Sequence, residues 1–253
     1  AMTAAFAISR VSLRQLVGRR RIIGLLLLAL VPVGIYVLAV QDSGAANRVD
    51  IYAGILTSLV FGIVAPVTAI SMSATALGGE RRDGTLSFLL LKPVPRWVVV
   101  AAKMLAAWLA AAALATTSGA LVTVAYALAA DDWTTLVPTI VGLALSTAAY
   151  VAVFVPLGYL VRRAVIIGLV YVFIWESIAG GLEGLAPTSL WRIGFSAFAG
   201  MVRSRILIDV EGFGLGSVSP GLGGAIVKVA ILVTLGVIVT AQLLSRRDVT
   251  GET

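Results

Sequence analysis

Gly79 to Arg96, GERRDGTLSFLLLKPVPR, is the stretch on which the reading of this chain turns. Glu80, Arg81, Arg82 and Asp83 form a charged run, and Gly84 with Thr85 favours a break and a fresh helix start. Leu86, Phe88, Leu89, Leu90 and Leu91 then make a short apolar segment that Pro93 and Pro95 stop. The local expectation is a helix of about two turns that is too short to cross a bilayer and offers an apolar surface. Two readings of that surface follow from spacing alone. Either the helix docks in a groove of another protein, or its leucines dip into the headgroup region.

On both sides of this stretch the sequence is apolar for far longer than a soluble core requires. Of 253 residues, 60% are hydrophobic and 12% are charged, which marks an all-α polytopic membrane protein. The chain has neither cysteine nor histidine, so disulfides, thiolate nucleophiles, imidazole bases and the commonest zinc sites are excluded. Six spans are expected, near 22–40, 51–77, 98–130, 136–160, 164–185 and 225–244, in a single transmembrane domain covering 1–253. Ala1, ahead of Met2, is read as an added residue.

Residues 3–18 set Phe6, Leu13 and Val17 against Arg10 and Arg14 at helical spacing, the pattern of an interfacial helix; an unstructured basic tail is the plainer alternative. The run that follows Arg19, Arg20 and Arg21 lacks a convincing small-residue cleavage site, so it reads as an uncleaved span. In the second span Pro66 is expected to kink the helix. Thr68, Ser71 and Thr75 share one face there, a seam that suits close packing better than substrate contact. Asp131, Asp132 and Trp133 mark the far surface, where two adjacent aspartates are topological punctuation before they are a metal pair. No metal site is expected.

Charge asymmetry orients the chain. Fourteen basic residues precede the first span, border the Gly79–Arg96 loop, or sit at Arg162–Arg163 and Arg246–Arg247. Four lie on the other side (Arg48, Arg192, Arg203 and Arg205), and Lys228 falls inside the last span. The imbalance puts both termini in the cytoplasm and reads the net charge of +7 as membrane orientation, with no nucleic-acid partner. The expected location is the cell (plasma or inner) membrane, and the lipid bilayer is the first partner.

Glu176, within the fifth span, is the costliest residue in the sequence. It is either a substrate-facing, gating or proton-linked carboxylate, or a buried anchor hydrogen-bonded to a neighbouring helix or to the loop beyond. That loop is helix-averse at Gly180, Gly181, Gly184 and Pro187, and residues 186–222 are too charged to cross. Leu190, Ile193, Ala197, Phe198 and Met201 still repeat at helical spacing. The expectation is one or two short helices, re-entrant or interfacial, before the last span; an amphipathic surface loop is the alternative.

Glu80, Gly84, Thr85, Leu86, Leu89, Leu90, Pro93, Arg96 and Lys103 together resemble the first cytoplasmic loop of type-2 ATP-binding-cassette (ABC) export permeases. Arg82 departs from the pattern, standing where that family often has a second acidic residue. Trp175-Glu176 and the outer helices before the last span are also similar to that family. The resemblance implies that the loop is a coupling helix seated in a separate ATPase subunit, with Glu80, Arg81, Gly84, Thr85, Leu86, Leu89, Leu90, Pro93 and Arg96 carrying the contact. It further implies a second permease subunit, in a homodimer, and two copies of the ABC ATPase. ATP and Mg would then sit on that partner, with no cofactor bound by this chain.

What is missing agrees with a subunit that is no enzyme by itself. There is no Gly-x-x-x-x-Gly-Lys-Ser/Thr phosphate loop, and a Ser–His intramembrane protease is impossible without histidine. The implied function is export of a substrate driven by ATP hydrolysis elsewhere. One alternative is a mechanotransmitter that moves no substrate and acts on an extracytoplasmic partner. A third reading, an intramembrane enzyme with Glu176 as acid or base, lacks a second catalytic group.

Overall fold

A computed structural model describes residues 11–12, 19–41, 44–79, 95–181, 188–202 and 221–247. All regular structure among them is helical. Helix α1 is Arg19–Val40, α2 covers 45–76, α3 is Arg96–Ala130 and α4 is Leu136–Leu160. Helix α5 covers 164–181, α6 is Leu190–Ala199 and α7 is Gly221–Arg247. Five of these, α1 to α4 and α7, are long and apolar enough to cross a membrane.

The fifth expected span, near 164–185, is described as far as Gly181, and its described apolar stretch, Ala164–Ala179, extends about 24 Å at 1.5 Å per residue. Residues 182–187 lie outside the described residues. Glu176 turns its carboxylate toward the next element. Helix α2 begins at Ala45, ahead of the expected span near 51–77, and the described part of α7 begins at Gly221, with φ of 70°. The expected interfacial helix at 3–18 lies almost wholly outside the described residues.

Helix α4 is the hub. It carries no charged residue, and it packs on α2, α3, α5, α6 and α7. Lipid is as apolar as leucine, so helices in a bilayer associate through close packing and hydrogen bonds and gain little from hydrophobic burial. Small residues make that approach here. A Cβ added to Gly158 would lie 2.8 Å from Ala74 Cα, one on Gly78 would lie 2.3 Å from Gly158 O, and one on Gly236 would lie 2.5 Å from Ala152 O. These backbones touch because no side chain stands between them.

The core has two parts along the bundle. Ala69 to Leu77, Val100 to Leu114 and Ala149 to Tyr159 pack toward the end where α2 stops and α3 starts. Tyr36, Tyr52, Phe61, Tyr126, Leu143, Phe195 and Phe198 pack toward the other, where Tyr52 stacks on Tyr126 at 4.2 Å. Helix α1 buries only the stripe of Leu25, Ala29, Pro32 and Tyr36, while Ile23, Leu27, Leu30, Val31 and Leu38 are exposed. On a chain this apolar such outward faces suit lipid.

Hydroxyls in the spans mostly bond their own helix four residues back, as an environment without water demands. Thr68 Oγ1 donates to Val64 O at 2.7 Å and Thr75 Oγ1 to Ser71 O at 3.0 Å. The seam on α2 is thus a packing face whose threonines are satisfied locally. Between helices, Trp108 Nε1 donates to Ala144 O at 2.9 Å, Ser118 Oγ to Ala29 O at 2.6 Å, and Tyr52 shares a 3.0 Å bond with Thr123.

Candidate functional site

Two stretches depart from regular α geometry, and both face one cavity. In α2, residues Ile55–Val64 adopt π-helix, with the Ala65 N–H bonded to Val60 O five residues back. Pro66 supplies a reason. It has no N–H, and its ring would collide with the Gly62 carbonyl in a regular helix, so the preceding turns widen. The kink expected at Pro66 therefore takes the form of a π segment ahead of it. The second stretch is Tyr171–Glu176 of α5. Here the widened turns end on the carboxylate itself.

Glu176 is half-buried and accepts four hydrogen bonds. Oε1 takes Tyr150 Oη at 3.0 Å, Leu190 N at 3.0 Å and Trp191 N at 3.2 Å, while Oε2 takes Ser189 Oγ at 2.5 Å. Ser189 is the N-cap of α6 and in turn accepts from Arg192 N at 3.2 Å. Glutamate and serine together thus serve three amide donors of the first turn of α6, where the helix dipole also favours negative charge. Tyr171 lies close by and donates to Thr188 O at 3.3 Å.

The helix anchored in this way is not a surface element. Ile193, Gly194, Phe195, Ser196, Ala197 and Phe198 are all buried, and a Cβ on Gly194 would stand 2.3 Å from Ser146 Cβ on α4. At the start of the 186–222 segment the structure has a buried helix packed against α4 and α7 in place of a surface loop. Residues 203–220 lie outside the described residues.

The cavity holds about 450 Å³. Thr57, Ser58, Gly62 and Ile63 of α2 line one side, and Val172, Phe173, Glu176 and Ser177 of α5 line the other, with Tyr150 and Trp191 closing it. Tyr150 and Ser189 went unrecognised in the sequence. Ser189 carried a signal, standing just beyond Pro187 and ahead of an apolar repeat as helix N-caps do. A tyrosine inside an apolar span carried none.

Of the residues expected to form the coupling surface, Glu80, Arg81, Gly84, Thr85, Leu86, Leu89, Leu90 and Pro93 lie outside the described residues. Arg96 is described as the first residue of α3, and its guanidinium donates to Leu244 O at the end of α7, 3.2 Å away. At the opposite end Asp132 Oδ1 accepts from Thr134 N and Oγ1, and Asp131 takes a left-handed conformation with φ of 54°. That pair closes a turn. Among the described residues no group of three acidic or other metal-ligating side chains gathers.

Fold and site together define a multi-pass membrane protein, all-helical among the described residues, with a short buried helix anchored on a carboxylate. Residues 6–190 match the family model described as ABC-2 family transporter protein, and the chain belongs to that family. It is a membrane permease of the ABC-2 type. No curated protein matches the chain at a significant level.

Proposed function

We propose that this chain is the membrane subunit of an export complex in which a separate ATPase hydrolyses ATP, with Mg, and drives substrate across the membrane. Membership of the ABC-2 transporter family is the observation that carries the reading. Two permease copies, in a homodimer, and two ATPase subunits make up the complex, and both termini face the cytoplasm of the cell. Thr85 to Leu91 forms the coupling helix, and closure of the ATPase pair pushes it as a lever.

Packing at the adjoining helix ends supports such a lever. Gly78, just ahead of the loop, abuts Gly158 on α4 backbone to backbone, and Arg96, just after it, is tied to α7. A push on the loop thus meets three helices at once. The test is a pull-down of the chain from its native membrane in mild detergent, with mass spectrometry and an ATPase assay. We expect an ATPase subunit to co-purify, and Leu86→Glu or Leu89→Glu to release it. Recovery of the folded chain alone would overturn the proposal. Replacing Glu80 or Gly84 should uncouple ATP hydrolysis from transport without unfolding the chain.

A further inference from the structure

The cavity between the two π segments is the place where α2, α4, α5 and α6 all present residues to one space. Its 450 Å³ lies within the range of small-molecule sites. Three aromatic rings line it, those of Tyr150, Phe173 and Trp191, together with Ile63 and Val172. Thr57, Ser58 and Ser177 add hydroxyls. Among the described lining residues Glu176 alone carries a formal charge. Ser58 and Phe173 are both exposed, so the cavity is open on that side.

We propose that this cavity binds a lipophilic organic cation, which deepens the export reading by naming its substrate class and rests on that reading. Charge is the first argument. A carboxylate on a wall of aromatic and apolar residues acts through a lower dielectric than in bulk water, so it attracts a cation and repels an anion. The amino end of α6 offsets part of that charge, but no basic side chain among the described lining residues cancels it. Aromatic faces are the second argument, since tyrosine, phenylalanine and tryptophan rings attract cations electrostatically while accommodating apolar substituents. Preorganisation is the third. Four hydrogen bonds hold the Glu176 carboxylate in place, so it cannot swing out to water when the cavity empties. A delocalised or quaternary cation suits such a site, because it needs charge and rings nearby and no hydrogen-bond acceptor of its own.

The test uses the full-length chain in phosphatidylcholine nanodiscs, with labelled tetraphenylphosphonium as probe and tetraphenylborate, its counterpart of the same shape and opposite charge. Saturable binding of the cation and only unsaturable partitioning of the anion is the expected result. Glu176→Gln preserves shape and a carbonyl acceptor, and should weaken the cation roughly tenfold through lost charge. Ser58→Arg on the facing wall, and Phe173→Ala beside Glu176, should weaken it as well and serve if the Gln variant does not fold. Equal saturable binding of both ions, or unchanged affinity in the folded variants, would overturn the assignment. ATPase co-purification from the same cells separates the two proposals. Intact docking without saturable cation binding removes the cavity alone, whereas cation binding without any ATPase leaves the cavity and removes the export complex.

Discussion

Glu176→Ala tests the anchor directly. The substitution deletes the acceptor of four hydrogen bonds and leaves four donors behind: the Tyr150 and Ser189 hydroxyls and the Leu190 and Trp191 amides. Hydrogen bonds between helices in membranes average only about 0.6 kcal/mol, because the unfolded chain in lipid also finds partners. Tyr150 and Ser189 are almost fully buried, so each orphaned hydroxyl adds a desolvation cost of about 1 kcal/mol. The total is roughly 4 kcal/mol, or about 8–16 °C in Tm for a chain of this size. Glu176→Gln keeps a carbonyl acceptor, and Ser189 can rotate to accept from the new amide, so about 1 kcal/mol is expected. Hydrogen exchange at 190–199 reads the loss where it occurs, since α6 should open far more often than α4 does. Equal exchange in wild type and the alanine variant, with Tm unchanged, would refute the anchor and mark Glu176 as a group kept for chemistry alone.

Three other perturbations follow from the packing. Gly194→Val places branched carbon where a Cβ already stands 2.3 Å from Ser146 Cβ and 2.8 Å from Gly142 O, and should lower Tm by the several degrees that overpacking of about 1–3 kcal/mol implies. Gly78→Ala should separate the ends of α2 and α4, because Gly158 O lies 2.3 Å from the added Cβ; ATPase activity that no longer responds to transport in the assembled complex would register this. Tyr52→Phe and Thr123→Val remove the two sides of one 3.0 Å bond, and a double-mutant cycle on thermal unfolding should return a coupling near 0.6 kcal/mol.

The membrane class and the rough course of the spans were legible, since a bilayer imposes length and hydropathy directly on sequence. Arg162–Arg163, expected to form a tight turn between the fourth and fifth spans, forms one. The widened turns before Pro66 were legible only as a kink, because the residue that causes the defect fixes its place and leaves its form to the neighbouring packing. Glu176 stood out by cost, but its partners did not. Ser189 follows it by thirteen residues and Tyr150 precedes it by twenty-six, and no periodicity links positions on three separate helices. The π segment at Tyr171–Glu176 was illegible, since its mostly apolar residues read as ordinary helix. The glycines of α4 and its neighbours were visible as small residues, while their meetings in pairs depend on helix rotation that composition does not record.

Those meetings suggest why the irregular geometry gathers where it does. Helix α4 touches Gly78 through Gly158 at one point and Gly194 through Gly142 and Ser146 at another. Sixteen residues separate Gly142 from Gly158, so one helix spanning about 24 Å links the end of α2 beside the Gly79–Arg96 loop to α6. Backbone-to-backbone contacts yield little, because no flexible side chain lies between them to absorb a shift. On the proposed lever, movement delivered at Gly78 would pass along α4 toward α6, whose amino end hangs on Glu176. Coupling between distant sites requires an element with more than one arrangement, and the π segments are where α2 and α5 would supply one. Converting Tyr171–Glu176 to regular helix would turn the carboxylate about the helix axis and away from Leu190 and Trp191. Glu176→Ala in the assembled complex, with transport and ATPase turnover as readouts, tests this. Coupled transport should be lost while ATPase docking is spared, and unimpaired transport would show that the anchor plays no part in coupling.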